Sequence, residues 1–298
     1  MIRFGLCCIF KAQPIKFRTT TAAYLSKRSG REQRDRLSEL CLINAENLLK
    51  ALEFCHRNKI GGFRINSQIL PLKTHPDLGY DIRDLPGSDQ IIAAFKTCGE
   101  YSLKHNIRTT FHPDQFIVLS SPYPDVVQRS IADLQYQAEV AQWVNADVLN
   151  IHAGGVYGDK PSAIKRFVHN VETLPDPVRK RLTLENDDRS YSPRDLLPVC
   201  ADLKIPLVYD VHHHRCLSDD LSIEEATERC LKTWNREPLF HISSPKDGWQ
   251  ASNIRKHHDY IHINDIPRDW LSMDITVEVE AKAKELAIKK LMTDLKTD

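Results

Sequence analysis

The fold is decided between residues 148 and 210 by three short runs, Val148-Leu-Asn-Ile-His152, Leu182-Thr-Leu-Glu185 and Pro206-Leu-Val-Tyr-Asp210. Each run is mostly apolar and ends on an imidazole or a carboxylate. The stretches between them are longer and amphipathic, and they predict helices over Ser162–Glu172 and Ser192–Leu203. Strands that alternate with helices in this way predict a parallel sheet.

The same alternation continues over the whole chain. It predicts eight strands, near residues 2–8, 61–66, 107–112, 147–152, 181–185, 206–210, 239–243 and 274–280. Eight strands with intervening helices predict an α/β fold of the TIM (β/α)8 type, and 298 residues fit that fold, which typically takes roughly 250. The sequence contains neither an internal repeat nor a linker, so it predicts a single domain, residues 1–298.

Helix boundaries follow from the apolar rhythm and from N-cap residues. Ser130, Ser162 and Ser192 are the predicted N-caps, the last of them followed by Pro193 at the first helical position. The other predicted helices are Leu37–Asn58, Ile91–Asn106, Ser130–Val144, Ile223–Trp234 and Ala281–Leu295. Two long polar connections, 10–36 and 244–273, follow strands 1 and 7, at the end of the barrel where such folds carry their chemistry.

Charge and composition favour a reducing, aqueous compartment. The 41 Lys and Arg nearly balance the 40 Asp and Glu, so no global field attracts a polyanion, although residues 10–36 hold eight basic residues against two acidic ones. The eight cysteines form no CxxC pair, which predicts free thiols in a reducing cytosol. No secretory leader and no apolar run of about 20 residues is evident, so we expect a cytoplasmic protein that has no membrane segment.

Side chains that bind metals recur at the ends of the predicted strands. They are His112, His152, Glu185, Asp210, His213, His241 and Glu280. Because the carboxyl ends of the strands of a parallel barrel converge, we expect these side chains to meet in one pocket. Imidazole and carboxylate together suit Zn, Mn or Fe. The sequence therefore predicts a polynuclear metal site.

Several motifs carry a resemblance to a known family. Among them are Phe111-His-Pro-Asp-Gln-Phe116, Asn150-Ile-His-Ala-Gly-Gly155, Tyr209-Asp-Val-His-His-His214, His257-His-Asp-Tyr-Ile261 and Val279-Glu-Ala-Lys282. In their order and spacing the chain resembles the UV damage endonuclease (UvdE/UvsE) family over nearly its whole length. The resemblance implies a TIM barrel that cuts DNA beside ultraviolet photoproducts, with two or three divalent metal ions, Mn or Zn, at the barrel mouth.

The resemblance also implies roles for individual residues. The implied metal ligands are His112, His152, Glu185, Asp210, His213, His241, His257 and Glu280. Glu185, Glu280 and His241 are the predicted catalytic residues, and the two glutamates are candidates to bridge closely spaced ions. The chain is expected to incise the strand immediately 5′ of the photoproduct and to leave a 3′-hydroxyl and a 5′-phosphate.

Recognition of the lesion is expected to involve residues outside the metal site. The resemblance places a side-chain wedge at Gln115-Phe116, where an aromatic ring can replace lost base stacking. Arg64, Asn66 and His75 are the further predicted DNA contacts. The expected partner is UV-damaged double-stranded DNA, bound by a monomer.

Two departures from the family, one around strand 1 and one in strand 7, keep an alternative open. Leu6 and Phe10 stand where relatives carry Tyr and Asn in the lesion groove, and Leu239 stands where the family has a lysine that is reported to be modified. The alternative is a diverged xylose-isomerase-like barrel enzyme that acts on a small sugar or phosphorylated substrate, since such enzymes use the same ligand types. A DNA enzyme requires a basic rim and an exposed wedge, whereas a sugar enzyme requires a small closed pocket. A catalytically silent DNA binder is disfavoured because every ligand position is retained.

Overall fold

Eight parallel strands close into a barrel in the computed structural model, which describes residues 2–297. The order around the barrel follows the chain, and the last strand pairs with the first. The strands are β1 (Arg3–Cys7), β2 (Gly62–Ile65), β3 (Arg108–Phe111), β4 (Val148–His152), β5 (Leu182–Glu185), β6 (Leu207–Asp210), β7 (Leu239–Ile242) and β8 (Thr276–Val279). The predicted TIM barrel is confirmed, while the extent of the domain, 1–298, stays a prediction.

Strand register brings the predicted metal ligands side by side. His152 pairs with Glu185 across β4 and β5, and Asp210 pairs with His241 across β6 and β7. Side chains two residues apart on a strand point to the same side of the sheet, so each of these positions has an inward-facing neighbour one layer deeper in the barrel. The predicted metal ligands therefore form a polar layer at the carboxyl end of the barrel. The inward-facing residues below them support this layer.

Ten α-helices surround the barrel within the described residues. They are α1 (Ala22–Leu25), α2 (Gly30–Arg57), α3 (Ser88–Lys104), α4 (Pro124–Val144), α5 (Lys160–Glu172), α6 (Asp176–Arg179), α7 (Pro193–Leu203), α8 (Val211–Cys216), α9 (Ile223–Leu231) and α10 (Glu285–Thr297). No helix within residues 2–297 is both long enough and apolar enough to cross a membrane.

The connection after β1 is partly helical, which the sequence analysis did not predict. Helix α2 begins at Gly30 rather than at Leu37, because Ser29 and Glu32 form a capping box: each side chain hydrogen-bonds the other residue's backbone amide. Three of the basic residues assigned to a loop, Arg31, Arg34 and Arg36, therefore lie on the first turns of α2.

The predicted N-caps were right once and wrong twice. Ser192 caps α7, with Pro193 at the first helical position, as predicted. Helix α4 instead begins at Pro124, and Ser130 lies inside it, where its hydroxyl donates to the carbonyl oxygen of Val126 at 2.8 Å. Helix α5 is capped by Asp159, whose carboxylate accepts from the amide of Ser162. Both helices therefore begin before the predicted serine, α4 at Pro124 and α5 after Asp159.

The connection after β7 packs onto the barrel through 3-10 turns at Ile263–Asp265 and Arg268–Ser272. The indole of Trp270 is fully buried beside Phe240 and donates to the hydroxyl of Thr227 at 3.0 Å. This anchor orders the segment that carries His257 towards the barrel mouth, where a short bridge pairs His257 with Pro245.

Candidate metal centre

Glu185 ends β5 at the middle of the barrel mouth and is fully buried. Its Oε2 accepts a hydrogen bond from the Asn150 amide at 2.5 Å and lies 3.0 Å from His112 Nε2. Its Oε1 lies 3.1 Å from His241 Nδ1 and 3.4 Å from His213 Nδ1. Three imidazoles that come from separate parts of the chain therefore converge on one buried carboxylate.

Three groups of side chains could each hold a metal ion, because their ligand atoms lie within 4.8 Å of one another. The groups are His112, His152 and Glu185; Glu185, Asp210 and His213; and Asp210, His241 and Glu280. Glu185 joins the first two groups and Asp210 joins the last two, so the three form a continuous row. Nitrogen and oxygen donors in such a row suit more than one transition-metal ion of the Mn or Zn type.

Two buried polar atoms support this fit. Asp210 is fully buried and its Oδ1 accepts from the amide of His213 at 2.8 Å, but its Oδ2 has no hydrogen-bond partner among residues 2–297. The Nδ1 atom of His152 likewise has none within the described chain. A buried carboxylate oxygen without a partner is costly, and a cation removes that cost. The residues present therefore fit a metal site.

The pKa shifts of these groups have the same origin. Burial raises the pKa of Glu185, but the rings of His241 and His152 lower it more, so that it lies well below its ordinary value. Burial lowers the pKa of His241, yet the carboxylate of Glu185 raises it to about 10. Burial also lowers the pKa of His152 and favours its neutral ring, the form that binds metals. The lowered pKa keeps the carboxylate of Glu185 ionised, the form that binds a cation.

Glu280 and His257 lie at the edge of this row. Glu280 follows β8, and its Oε1 accepts from Arg64 Nη2 at 2.6 Å and lies 3.6 Å from His241 Nδ1. Its Oε2 lies 3.8 Å from His257 Nδ1. His257 is half-buried and belongs to none of the three groups found within residues 2–297. The structure thus brings seven of the eight predicted ligands into the groups and places His257 beside them.

Arg64 lines a cavity together with Asn66 and Phe116, and its role as a DNA contact stays a prediction. Its side chain is 9% exposed, and its Nε donates to Glu278 Oε2 at 2.5 Å while Nη2 reaches Glu280. It points into the barrel because β2 alternates inward and outward, and the inward side meets the carboxylates of β8. The guanidinium of Arg64 therefore contacts two carboxylates of the site.

Of the other two predicted DNA contacts, Asn66 lies in the groove and His75 lies in a turn. Asn66 lines a cavity of about 480 Å3 together with His112, Gln115 and Phe116. His75 closes a turn instead, where its Nδ1 accepts from the amides of the residues at positions 77 and 78. Their roles in DNA binding stay predictions.

Gln115 and Phe116 lie on the loop after β3, between two cavities. Phe116 is 76% exposed, the largest exposed fraction among the exposed large hydrophobic residues of the described chain. Gln115 lines both the cavity shared with Asn66 and a second one of about 680 Å3, which reaches His152 and His213. A side-chain wedge has to stand free of the core beside the metal site, and this loop meets that requirement.

The two departures from the family have clear structural settings. Leu6 is fully buried, and Phe10 packs on Phe54 and Phe63 with ring centroids 5.2 Å and 6.0 Å away. Leu6 therefore belongs to the core and the half-buried Phe10 packs against it, while Cys8 lines the groove. Leu239 packs with the valines of β4 and β6 inside the barrel.

Two polar residues of the site were missed from the sequence. Asn150 precedes His152 by two positions on β4 and holds Glu185. Glu278 precedes Glu280 by two positions on β8 and is 2% exposed. The available signal was the two-residue period of a strand, which places both on the inward face below a predicted ligand.

The fold and the site define a class: a TIM barrel that carries imidazole and carboxylate groups able to hold metal ions at the carboxyl end of its strands. The family model described as UV-endonuclease UvdE matches residues 2–298. The chain belongs to the UV-endonuclease UvdE family.

Individual relatives agree with this assignment. A UV DNA damage endonuclease of Bacillus velezensis is 36% identical over 312 residues, which cover 99% of this chain and 94% of the relative. The crystal structure of SacUVDE superimposes with a TM-score of 0.88 at 26% identity, covering 100% of this chain and 99% of the other. Endonuclease IV from Thermus thermophilus shares the fold, with a TM-score of 0.61 at 12% identity, covering 99% of this chain and 100% of the other.

Proposed function

We propose that this chain is a metal-dependent DNA repair endonuclease that incises the strand immediately 5′ of an ultraviolet photoproduct and leaves a 3′-hydroxyl and a 5′-phosphate. Membership in the UvdE family supports the nuclease activity. The observation that carries the metal dependence is the buried carboxylate of Glu185, on which three imidazoles converge beside Oδ2 of Asp210, which has no hydrogen-bond partner among residues 2–297.

Glu185 belongs to two of the three ligand groups. Oε2 of Glu185 lies near His112 and His152, and its Oε1 lies near His213. When bound, two or three divalent ions, Mn or Zn, supply a nucleophile at neutral pH and neutralise charge on the oxygens of a phosphodiester. The residues of the chain hold those ions close together and keep the carboxylates ionised.

Glu185, Glu280 and His241 are the catalytic residues of this proposal. Glu280 and His241 share the group that includes Asp210, and the Nδ1 of His241 lies between the two glutamates, 3.1 Å from one and 3.6 Å from the other. This arrangement concentrates negative charge at the barrel mouth. His257 lies beside Glu280 and completes the proposed ligand set.

Substrate recognition is assigned to the groove that surrounds the site. Gln115 and Phe116 stand between the two cavities and enter the base stack at the lesion, where damage lowers the cost of opening by a few kcal/mol. Asn66 lies on the same wall as Phe116. The substrate in this proposal is UV-damaged double-stranded DNA, bound by a cytoplasmic monomer.

An incision assay tests this function. End-labelled duplexes carry one cyclobutane dimer, one 6-4 photoproduct, one abasic site or no damage, and each is incubated with protein plus Mn, Zn or chelator. We expect a single chelator-sensitive cut on the 5′ side of a photoproduct. Cutting at the abasic site alone would replace the proposal with an abasic-site nuclease. Failure of metal-loaded protein to cut any duplex would favour the small-substrate alternative.

A further inference from the structure

Glu278 is a buried carboxylate that lies one layer below the metal site. It occupies β8, where it pairs with His241 of β7 across the sheet. Its Oε2 lies 3.1 Å from His241 Nε2 and accepts from Arg64 Nε at 2.5 Å, while its Oε1 accepts from the hydroxyl of Thr110. Both oxygens of Glu278 are therefore engaged with side chains of the barrel interior.

These contacts exclude Glu278 as a ligand and fix the ring of His241. Glu278 belongs to none of the three candidate groups in the described chain. Nδ1 of His241 is the ring nitrogen that faces the metal groups, since it lies 3.1 Å from Glu185 Oε1 and 3.6 Å from Glu280 Oε1. A ring that binds a metal through Nδ1 carries its proton on Nε2, and the carboxylate of Glu278 at 3.1 Å can accept that proton, whereas Arg64 Nη2 at 3.2 Å can only donate. The proton on Nε2 of His241 therefore faces Glu278. In this metal-binding form of the ring, the lone pair on Nδ1 faces the metal groups.

We propose that Glu278 is a positioning residue, which holds the ring of His241 by its Nε2–H so that Nδ1 is presented to the metal ions. This inference rests on the proposed metal site. Partners of this kind orient a ligating histidine and raise its basicity, and their loss typically weakens metal binding about 10- to 100-fold.

Strand β7 itself has no polar side chain directly below His241 that could replace Glu278 as its partner. On β7 the inward residue below His241 is Leu239, which packs on Val148 and Val208. Arg64 balances the charge of Glu278 and also contacts Glu280. The support for His241 therefore comes across the sheet, from β8 and β2.

Titration of the full chain with Mn2+ tests the proposal, and a competing chelating dye reports the dissociation constant. Glu278→Gln keeps the size of the side chain, but its amide can donate as well as accept and no longer requires the Nε2–H form of His241. We expect Mn2+ binding to weaken at least about tenfold. The matched control is Glu237→Gln, since Glu237 pairs with Arg3 at 2.8 Å and accepts from Thr276 away from the site. Its dissociation constant is expected to stay within about twofold of the wild-type value.

A double-mutant cycle separates positioning from a merely structural role. In a His241→Ala background, Glu278→Gln should cause little further loss, because the ring that it orients is gone. A full loss in that background would overturn the proposal, and so would unchanged Mn2+ binding in the single variant. If circular dichroism shows that Glu278→Gln is unfolded, the cycle is run with Glu278→Asp, which keeps the charge opposite Arg64 and withdraws the acceptor from His241. Wild-type protein that binds no Mn2+ would instead refute the proposed function.

Discussion

Phe116→Ala should remove discrimination between damaged and undamaged DNA while leaving the folded protein intact. The ring is 76% exposed on the loop after β3, so its truncation opens no core cavity, and the free energy of unfolding should change by less than about 0.5 kcal/mol. Stacking of an aromatic ring on a base is worth about 1–3 kcal/mol. Its loss corresponds to about a 5- to 150-fold lower preference for the photoproduct duplex.

The assay measures kcat/KM for incision of a photoproduct duplex and of its undamaged counterpart. Metal content and thermal unfolding are measured on the same samples. Leu103→Ala serves as the control, because Leu103 is 67% exposed in the last turn of α3 and lines neither cavity beside the wedge. An unchanged preference in Phe116→Ala, or an equal loss of bound metal, would show that Phe116 is not a stacking wedge.

Three further variants test the core, the support of the site and the acid stability. Trp270→Ala removes a fully buried indole and should lower the free energy of unfolding by about 3–5 kcal/mol in a urea titration; a loss below about 1 kcal/mol would contradict its role as an anchor. Asn150→Ala removes the donor at 2.5 Å from Glu185 and should weaken Mn2+ binding about 10- to 100-fold at unchanged secondary structure; unaltered affinity would contradict this support. Burial raises the pKa of Asp219, but hydrogen bonds, first that of the Arg194 amide, lower it below its ordinary value. Its stabilising contribution is therefore present above about pH 4 and is lost as the pH falls through the folded-state pKa, so Asp219→Asn should flatten the acid limb of a stability-against-pH curve, and an unchanged limb would refute this assignment.

The barrel could be predicted from the sequence because its signals are local. Runs such as Pro206–Asp210 are short, apolar and followed by a polar side chain, and the structure shows β6 there, from Leu207. Ser192 with Pro193 carries its cap signal in two adjacent residues. Where two possible caps lie close together, the prediction was wrong: the sequence analysis placed the cap at Ser162, whereas Asp159 caps α5.

The upper layer of the site could be predicted for a related reason. Strand ends converge in any parallel barrel, so residues such as Glu185 and Asp210 meet whatever the details of packing. The layer below could not be predicted, because whether an inward residue pairs with another depends on strand register and tilt. Arg64 shows this: its position near the mouth follows from β2, but its contact with Glu278 of β8 depends on how the two strands are aligned.

Incision of a duplex that contains a single photoproduct by wild-type protein and by Glu185→Gln, both supplied with Mn2+, tests the metal-centre account most directly. The substitution keeps the shape of the side chain and removes the charge shared by two of the three ligand groups. We expect the wild-type protein to cut once, immediately 5′ of the lesion, and the folded variant to bind less metal and to cut no faster than a protein-free control. Glu185→Gln protein that cuts at the wild-type rate would contradict the account at its centre.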